Sequence, residues 1–191
     1  MTRPTKSERL KSILEATRGF HAELDHSTHS DRAQVITVGA FLDSMLEQLL
    51  FFGLAEGGWK RDLFEGQGPL ATFSARIDMA CAMGLLPESL RRDLHLIRKL
   101  RNHFAHRVVG GSLLENPAKQ YIEATSVHGF VVGTAVSQGR RPDIRKDFRD
   151  SVHVLVGFLQ GCVERARTPE KMPNIPLPVT PPPLARTRTR H

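Results

Sequence analysis

Val35, Val38, Leu42, Met45, Leu49 and Phe52 follow one another at steps of three and four residues, the spacing that brings side chains to one face of a 3.6-residue helix. A stripe of this length over about 30–55 predicts a helix of about seven turns. That is too long and too regular for a strand, and long enough to be the element around which a bundle assembles.

The rest of the chain supplies partners for it. Residues 7–20 open at Ser7 and place Leu10, Ile13, Leu14 and Thr17 at helical spacing, before a polar break at HAELDHSTHS. Pro69 is suited to the first turn of a third helix running to Met83. Pro87-Glu88 opens a fourth, whose stripe Leu90, Leu94, Ile97 leads to Phe104. From Val108 to Gly139 the periodicity fails. One helical turn is expected at 117–125, and the apolar alternation Val127 to Val132 reads as a small hairpin or an irregular crossover. A last helix over 142–167 turns Ile144, Phe148, Val152, Leu155 or Val156, and Leu159 inward. These elements predict an all-α antiparallel helical bundle in one domain, 1–168. A Pro-rich basic tail, 169–191, is expected to be extended and disordered because its prolines cannot enter a helix.

Charge is informative by its distribution. The chain of 191 residues carries +7, with +4 of it between residues 164 and 191. Residues 87–107 hold six Arg or Lys against Glu88 and Asp93, whereas residues 20–56 hold only Arg32 against six acids, so an acidic and a basic helix complement each other. No apolar run approaches the ~20 residues of a membrane span, and the N-terminus has no hydrophobic signal core. A cytoplasmic protein with no membrane contact is expected. Cys81 and Cys162 are far apart and in apolar contexts, which predicts reduced buried thiols. His103 with His106, and His26 with His29, offer two ligands each and no third, so no metal and no cofactor is expected. Gly66-Gln67-Gly68 lacks the preceding strand and third glycine of a phosphate cradle and reads as a hinge.

The stripe of the fourth helix ends in RNHFAH, 101–106. A guanidinium in an apolar seam needs a partner or water. Asp43 and Glu47, four residues apart on the long helix, are the best-placed acids, predicting an ion pair of Arg101 with Asp43 or Glu47. Arg101 and His106 are about 140° apart on a continuous helix, whereas Asn102 and His106 share a face.

Arg101, Asn102 and His106 in that order resemble the signature of the HEPN superfamily, small helical proteins that often dimerise and in many members cleave RNA without metal. The resemblance implies a composite site at a dimer interface in which Arg101 and His106 act and Asn102 supports them. A second resemblance covers more of the chain. Gly68-Pro69-Leu70, Phe73-Ser74-Ala75-Arg76-Ile77, Ala82-Met83-Gly84-Leu85-Leu86-Pro87 and Ile97-Arg98-Lys99-Leu100-Arg101-Asn102 are similar to segments of the mannitol operon repressor-like family. So are Leu42-Asp43 with Leu46-Glu47 and the segment Arg145 to Phe148. The match spans roughly 30–165 and implies an all-helical, HEPN-like bundle with a role in transcription regulation but without a DNA-recognition helix.

Two functions follow as expectations. One is a non-enzymatic helical regulator acting through protein contacts, with a protein partner of unknown identity and a homo-oligomeric state. The other is a metal-independent endoribonuclease of toxin or defence type. There an imidazole moves a proton and a guanidinium stabilises the charge building on the phosphoryl oxygens of RNA. Direct repression at DNA ranks behind both, because basic residues without a recognition helix give only sequence-independent attraction.

Overall fold

The computed structural model describes residues 6–26, 30–107 and 110–166. Among these are seven α-helices and no strand: α1 (Lys6–His26), α2 (Asp31–Gly53), α3 (Phe73–Ala82), α4 (Glu88–Ala105), α5 (Ala118–Glu123), α6 (Ser126–Ser137) and α7 (Ile144–Arg165). The all-α bundle is therefore present. The Pro-rich tail expected after residue 168 lies outside the described residues.

The helix α2 is central and packs on α1, α3, α4 and α7. Ser30 caps it, its Oγ accepting from the Ala33 N–H, which satisfies one of the donors a first turn leaves open. The whole stripe from Val35 to Phe52 is buried. By length and composition α2 is also the one helix among the described residues long and apolar enough to cross a membrane. Here half of that apolar window is buried inside the bundle, and the helix carries Asp43 and Glu47 in ion pairs.

Several boundaries differ from expectation for identifiable reasons. The first helix runs past Phe20 to His26, because Phe20 and Leu24 carry the buried face of α1 one turn further. The third helix begins at Phe73, not Pro69: Thr72 is its cap, its Oγ1 accepting from the Ala75 N–H. The last helix begins after Asp143, whose carboxylate accepts from the Lys146 N–H. The cysteines are free and half-buried rather than buried; burial and the adjacent Glu88 carboxylate push the Cys81 thiol up.

The small hairpin or irregular crossover expected at Val127 to Val132 is corrected: those residues lie in α6. The sequence SVHGFVVGTAVS is apolar nearly all round, so it carries no helical period to read. What starts the helix is distant in sequence. Asp93 of α4, almost fully buried, accepts from the N–H groups of Ser126 and Val127 at 2.8 and 3.0 Å. Thr125 supplies the side-chain cap to the His128 N–H. A carboxylate on the first-turn amides also suits the positive end of the helix.

Past α4, Gly111 has φ +115°, and a Cβ there would stand 2.9 Å from the Phe104 ring. Only glycine adopts that backbone easily, and it lets the chain lie on Phe104 where α4 ends.

Candidate functional site

The buried face of α4 runs Leu90, Leu94, Ile97, Leu100, Phe104, so the stripe passes through Leu100 and leaves Arg101 beside it. The aliphatic part of Arg101 lies on Gly39 of α2. A Cβ at Gly39 would be 2.6 Å from Cδ and 2.9 Å from Cγ of Arg101. Gly39 is thus the notch that lets a long side chain enter the seam between α2 and α4. The Arg101 Nε is buried and has no hydrogen-bond partner among the described residues.

Asp43 and Glu47 are engaged, but by another arginine, which corrects the expected pairing with Arg101. Arg76 of α3 donates through Nη1 to Asp43 Oδ1 at 2.8 Å and places Nη2 2.9 Å from Glu47 Oε2. Its Nε donates to the Leu70 carbonyl at 2.8 Å, and the guanidinium carbon stands 5.8 Å from the centroid of Phe64. One side chain, only 8% exposed, therefore ties α2, α3 and the turn before α3 together. Acids at 43 and 47 are one turn apart, the spacing a fork of donors can bridge, and they lie one and two turns from the Gly39 notch that holds Arg101. The sequence signal for Arg76 was available: it sits next to Ile77 in the apolar spacing Phe73, Ile77, Ala80, the same argument that singled out Arg101.

The remaining residues of RNHFAH have environments of their own. Asn102 is half-buried and His106 is exposed, and their link is through the backbone, the His106 N–H donating to the Asn102 carbonyl at 3.2 Å. His103 sets its ring edge-on to Phe104.

The outer side of α4 carries a continuous set. Arg92, Leu96, Lys99, His103 and His106 step by four, three, four and three residues, with Arg92, Lys99 and His106 exposed. The acids nearby are occupied. Asp78 takes Arg91 at 2.8 Å and His95 at 3.0 Å, Glu88 takes Arg91 at 3.0 Å, and Asp93 caps α6. The His95 hydrogen bond is what chiefly holds the Asp78 carboxyl below its usual range, against a smaller burial effect, with Arg91 adding to it. Arg92 and Lys99 have no ion-pair partner among the described residues.

Elsewhere, polar groups serve the fold. Asp31 accepts from Nε and Nη2 of Arg145 at 2.9 and 3.0 Å and from the Leu113 N–H at 2.9 Å. Burial pushes its carboxyl up, but the Arg145 and Leu113 hydrogen bonds outweigh that and leave it below the ordinary carboxylate range. Between α1 and α7, the Nδ1 atoms of His21 and His153 face each other, and His153 Nε2 lies 2.9 Å from Asp25 Oδ1. Burial first, and His153 second, hold His21 below the usual imidazole range against the opposing pull of Asp25. Among the described residues no group of three or more His, Cys, Asp or Glu is placed to hold a metal ion.

No family model matches the chain, and no curated protein matches it. The fold is similar to a chain in the X-ray structure of the MtlR–HPr complex from Escherichia coli, with a TM-score of 0.56 and 13% sequence identity over 77% of this chain and 97% of that one. At that identity the likeness establishes the architecture, an MtlR-like all-helical fold.

Proposed function

We propose that this protein is a non-enzymatic, cytoplasmic helical regulator that acts through protein contacts, and that the outer side of α4 receives an acidic surface of its partner. The observation that carries the reading is the stripe Arg92, Leu96, Lys99, His103, His106, in which exposed cations flank a half-buried leucine while neighbouring acids are occupied. Such a face offers charge steering around a small apolar centre. The fold it stands on is shared with a chain from a protein–protein complex, MtlR–HPr, which makes HPr a rational first probe.

The test is calorimetric titration of the full chain with Escherichia coli HPr. Binding is expected to weaken as salt rises, because exposed charges are screened beyond about 10 Å at 0.1 M. It should be lost in an Arg92→Glu/Lys99→Glu double variant that keeps the parent helicity. Binding that survives the double reversal overturns the α4 face, and a wild type that binds no HPr at about 1 mM overturns an HPr-like partner. The endoribonuclease reading finds no support in the placement of Arg101 and His106. Single-stranded RNA incubated in chelator should remain intact. Products ending in a 2′,3′-cyclic phosphate that vanish in His106→Ala would replace the regulator with the enzyme.

A further inference from the structure

Two imidazoles meet nitrogen to nitrogen between α1 and α7, and neither has a part in the partner reading above. His21 of α1 and His153 of α7 stand with Nδ1 against Nδ1, their ring centroids 4.6 Å apart. The other nitrogen of His153, Nε2, lies 2.9 Å from Oδ1 of Asp25, which follows His21 by one turn of α1. An ionised carboxylate only accepts hydrogen bonds, so Nε2 of His153 carries its proton. The neutral ring therefore turns a bare Nδ1 toward α1, and His21 has to donate from its own Nδ1. Asp25 thus sets the direction of both bonds. Burial, and then the charge of His153, disfavour a proton on His21, whereas Asp25 favours one. Arg18 lies one turn before His21 on α1, and Arg149 and Asp150 lie one turn before His153 on α7. Asp150 is taken by Arg140 at 3.5 Å and by Lys146 at 3.6 Å. The helix α2, also packed on α1, meets this level through Phe41, stacked on Phe20 at 3.9 Å. It has no charged residue at 37, 38, 44 or 45, one turn to either side of Phe41.

We propose that Asp25, His153 and His21 form a proton-counting latch that fastens the C-terminal half of α1 to α7, staying closed with one added proton and opening with the second. The first proton leaves the contact intact. On Nε2 of His21 it sits on the other side of that ring. On Nδ1 of His153 it makes that nitrogen the donor, and the proton of His21 moves from Nδ1 to Nε2. Either way a single N–H lies between the rings, and the Asp25 carboxylate offsets the charge. The second proton removes that arrangement. Both Nδ1 atoms then carry hydrogen, no lone pair remains between them, and two positive rings face each other with one carboxylate to offset them. The rings have to separate, and the hold of α7 on the turn that carries Phe20, His21 and Leu24 weakens, which raises local opening of α1. The sense of the response follows from His21, whose folded value is lowered. The latch contributes in full above about pH 6.5 and is lost as pH falls through that lower value. It uses no residue of α4, so it goes beyond the partner reading and does not rest on it.

Amide hydrogen exchange of the full chain, corrected for the intrinsic effect of pH, reads the opening helix by helix. On going from about pH 7 to about pH 5, the amides of residues 17–25 should lose about tenfold in protection, the effect of one pKa unit of coupling, while those of α4 keep theirs. His21→Asn places an uncharged amide donor where Nδ1 stands, so in that variant residues 17–25 should stay protected at both pH values. A second measurement needs no variant. The ring nitrogen shifts of the wild type at about pH 8, where both imidazoles are neutral, should show His153 protonated at Nε2 and His21 at Nδ1. Unchanged protection of residues 17–25 in the wild type overturns the latch, as does an equal loss in α4 or in His21→Asn. A His153 ring protonated at Nδ1 at about pH 8 overturns the bond direction on which the latch depends.

Discussion

Arg76 and Arg101 both lean on α2 from a neighbouring helix, and both stand beside an apolar stripe, yet the protein treats them differently. Arg76 has each of its three nitrogens matched, to Asp43, Glu47 and the Leu70 carbonyl. Arg101 contributes a hydrocarbon stem lying on Gly39 and leaves a buried Nε without a partner among the described residues. The difference teaches that the cost of burying a guanidinium says a partner is needed but not which arginine a given pair of acids will take. That choice is made by where along α2 each side chain enters. Arg101 enters at the Gly39 notch, whereas Arg76 reaches α2 at residues 43 and 47.

The largest expected effect tests the matched arginine. Arg76→Ala removes the partner of two carboxylates, a change that costs about 3 kcal/mol even after allowance for their partial exposure. For a domain of this size that lowers the melting temperature by roughly 10 °C. Urea unfolding followed by circular dichroism checks it, and a double-mutant cycle with Asp43→Asn should show coupling. An Arg76→Ala protein as stable as wild type would mean that the cluster is held by solvent rather than by the arginine.

An intermediate effect sharpens the contrast from the other side. Gly39→Ala gains up to about 1 kcal/mol of helix propensity but sets a methyl against Cγ and Cδ of Arg101, and overpacking of that kind costs about 1–3 kcal/mol. The single variant should be destabilised by about 1 kcal/mol, the difference of those two effects. In an Arg101→Ala background the same substitution should be neutral or stabilising. Arg101→Ala alone should cost about 1 kcal/mol or less, since it breaks no ion pair and removes an unpartnered buried nitrogen. If Gly39→Ala costs the same in both backgrounds, the notch is not what positions Arg101.

Periodicity made α2, α4 and α7 legible, because each repeats apolar residues at three and four over several turns and buries that face against the bundle. The acids at 43 and 47 were legible as a pair for the same reason. What escaped was decided between elements. The helix α6 is apolar on both sides and so has no period, and its start depends on Asp93, more than thirty residues earlier in the chain. Arg76 escaped although the sequence held the signal, because Arg101 satisfied the same rule and lay in the more conspicuous segment. The His21–His153 contact joins helices 132 residues apart in sequence and carries no local mark. For the outer side of α4, the excess of basic over acidic residues was visible in the sequence, but the structure was needed to show that the nearby acids are already occupied.

The smallest effect separates ion pairs from imidazoles by pH. His21 is held below the ordinary imidazole range by burial and by His153. His128 is held below it by burial, against the opposing pull of Asp147 and Glu123. Both are therefore neutral in the folded protein at a pH where the unfolded chain already takes up protons, below about 6.5. Where the unfolded state binds more protons, stability rises with pH. The contribution of the two neutral imidazoles is thus complete above about pH 6.5 and is lost as pH falls from there through their lower folded values. Asp31 does not confuse this window. Its carboxyl is lowered by Arg145 and Leu113, so its contribution is held above about pH 4 and is lost only as pH falls through its folded value. Urea midpoints should accordingly drop between pH 7 and pH 5 in the wild type, and the drop should flatten in a His21→Gln/His128→Gln variant. An Arg76→Met protein, less stable throughout, should keep the wild-type slope, because a guanidinium paired with carboxylates does not change charge in that range. A flat wild-type profile, or an undiminished slope in the double histidine variant, would show that these two imidazoles do not set the acid side of this fold's stability.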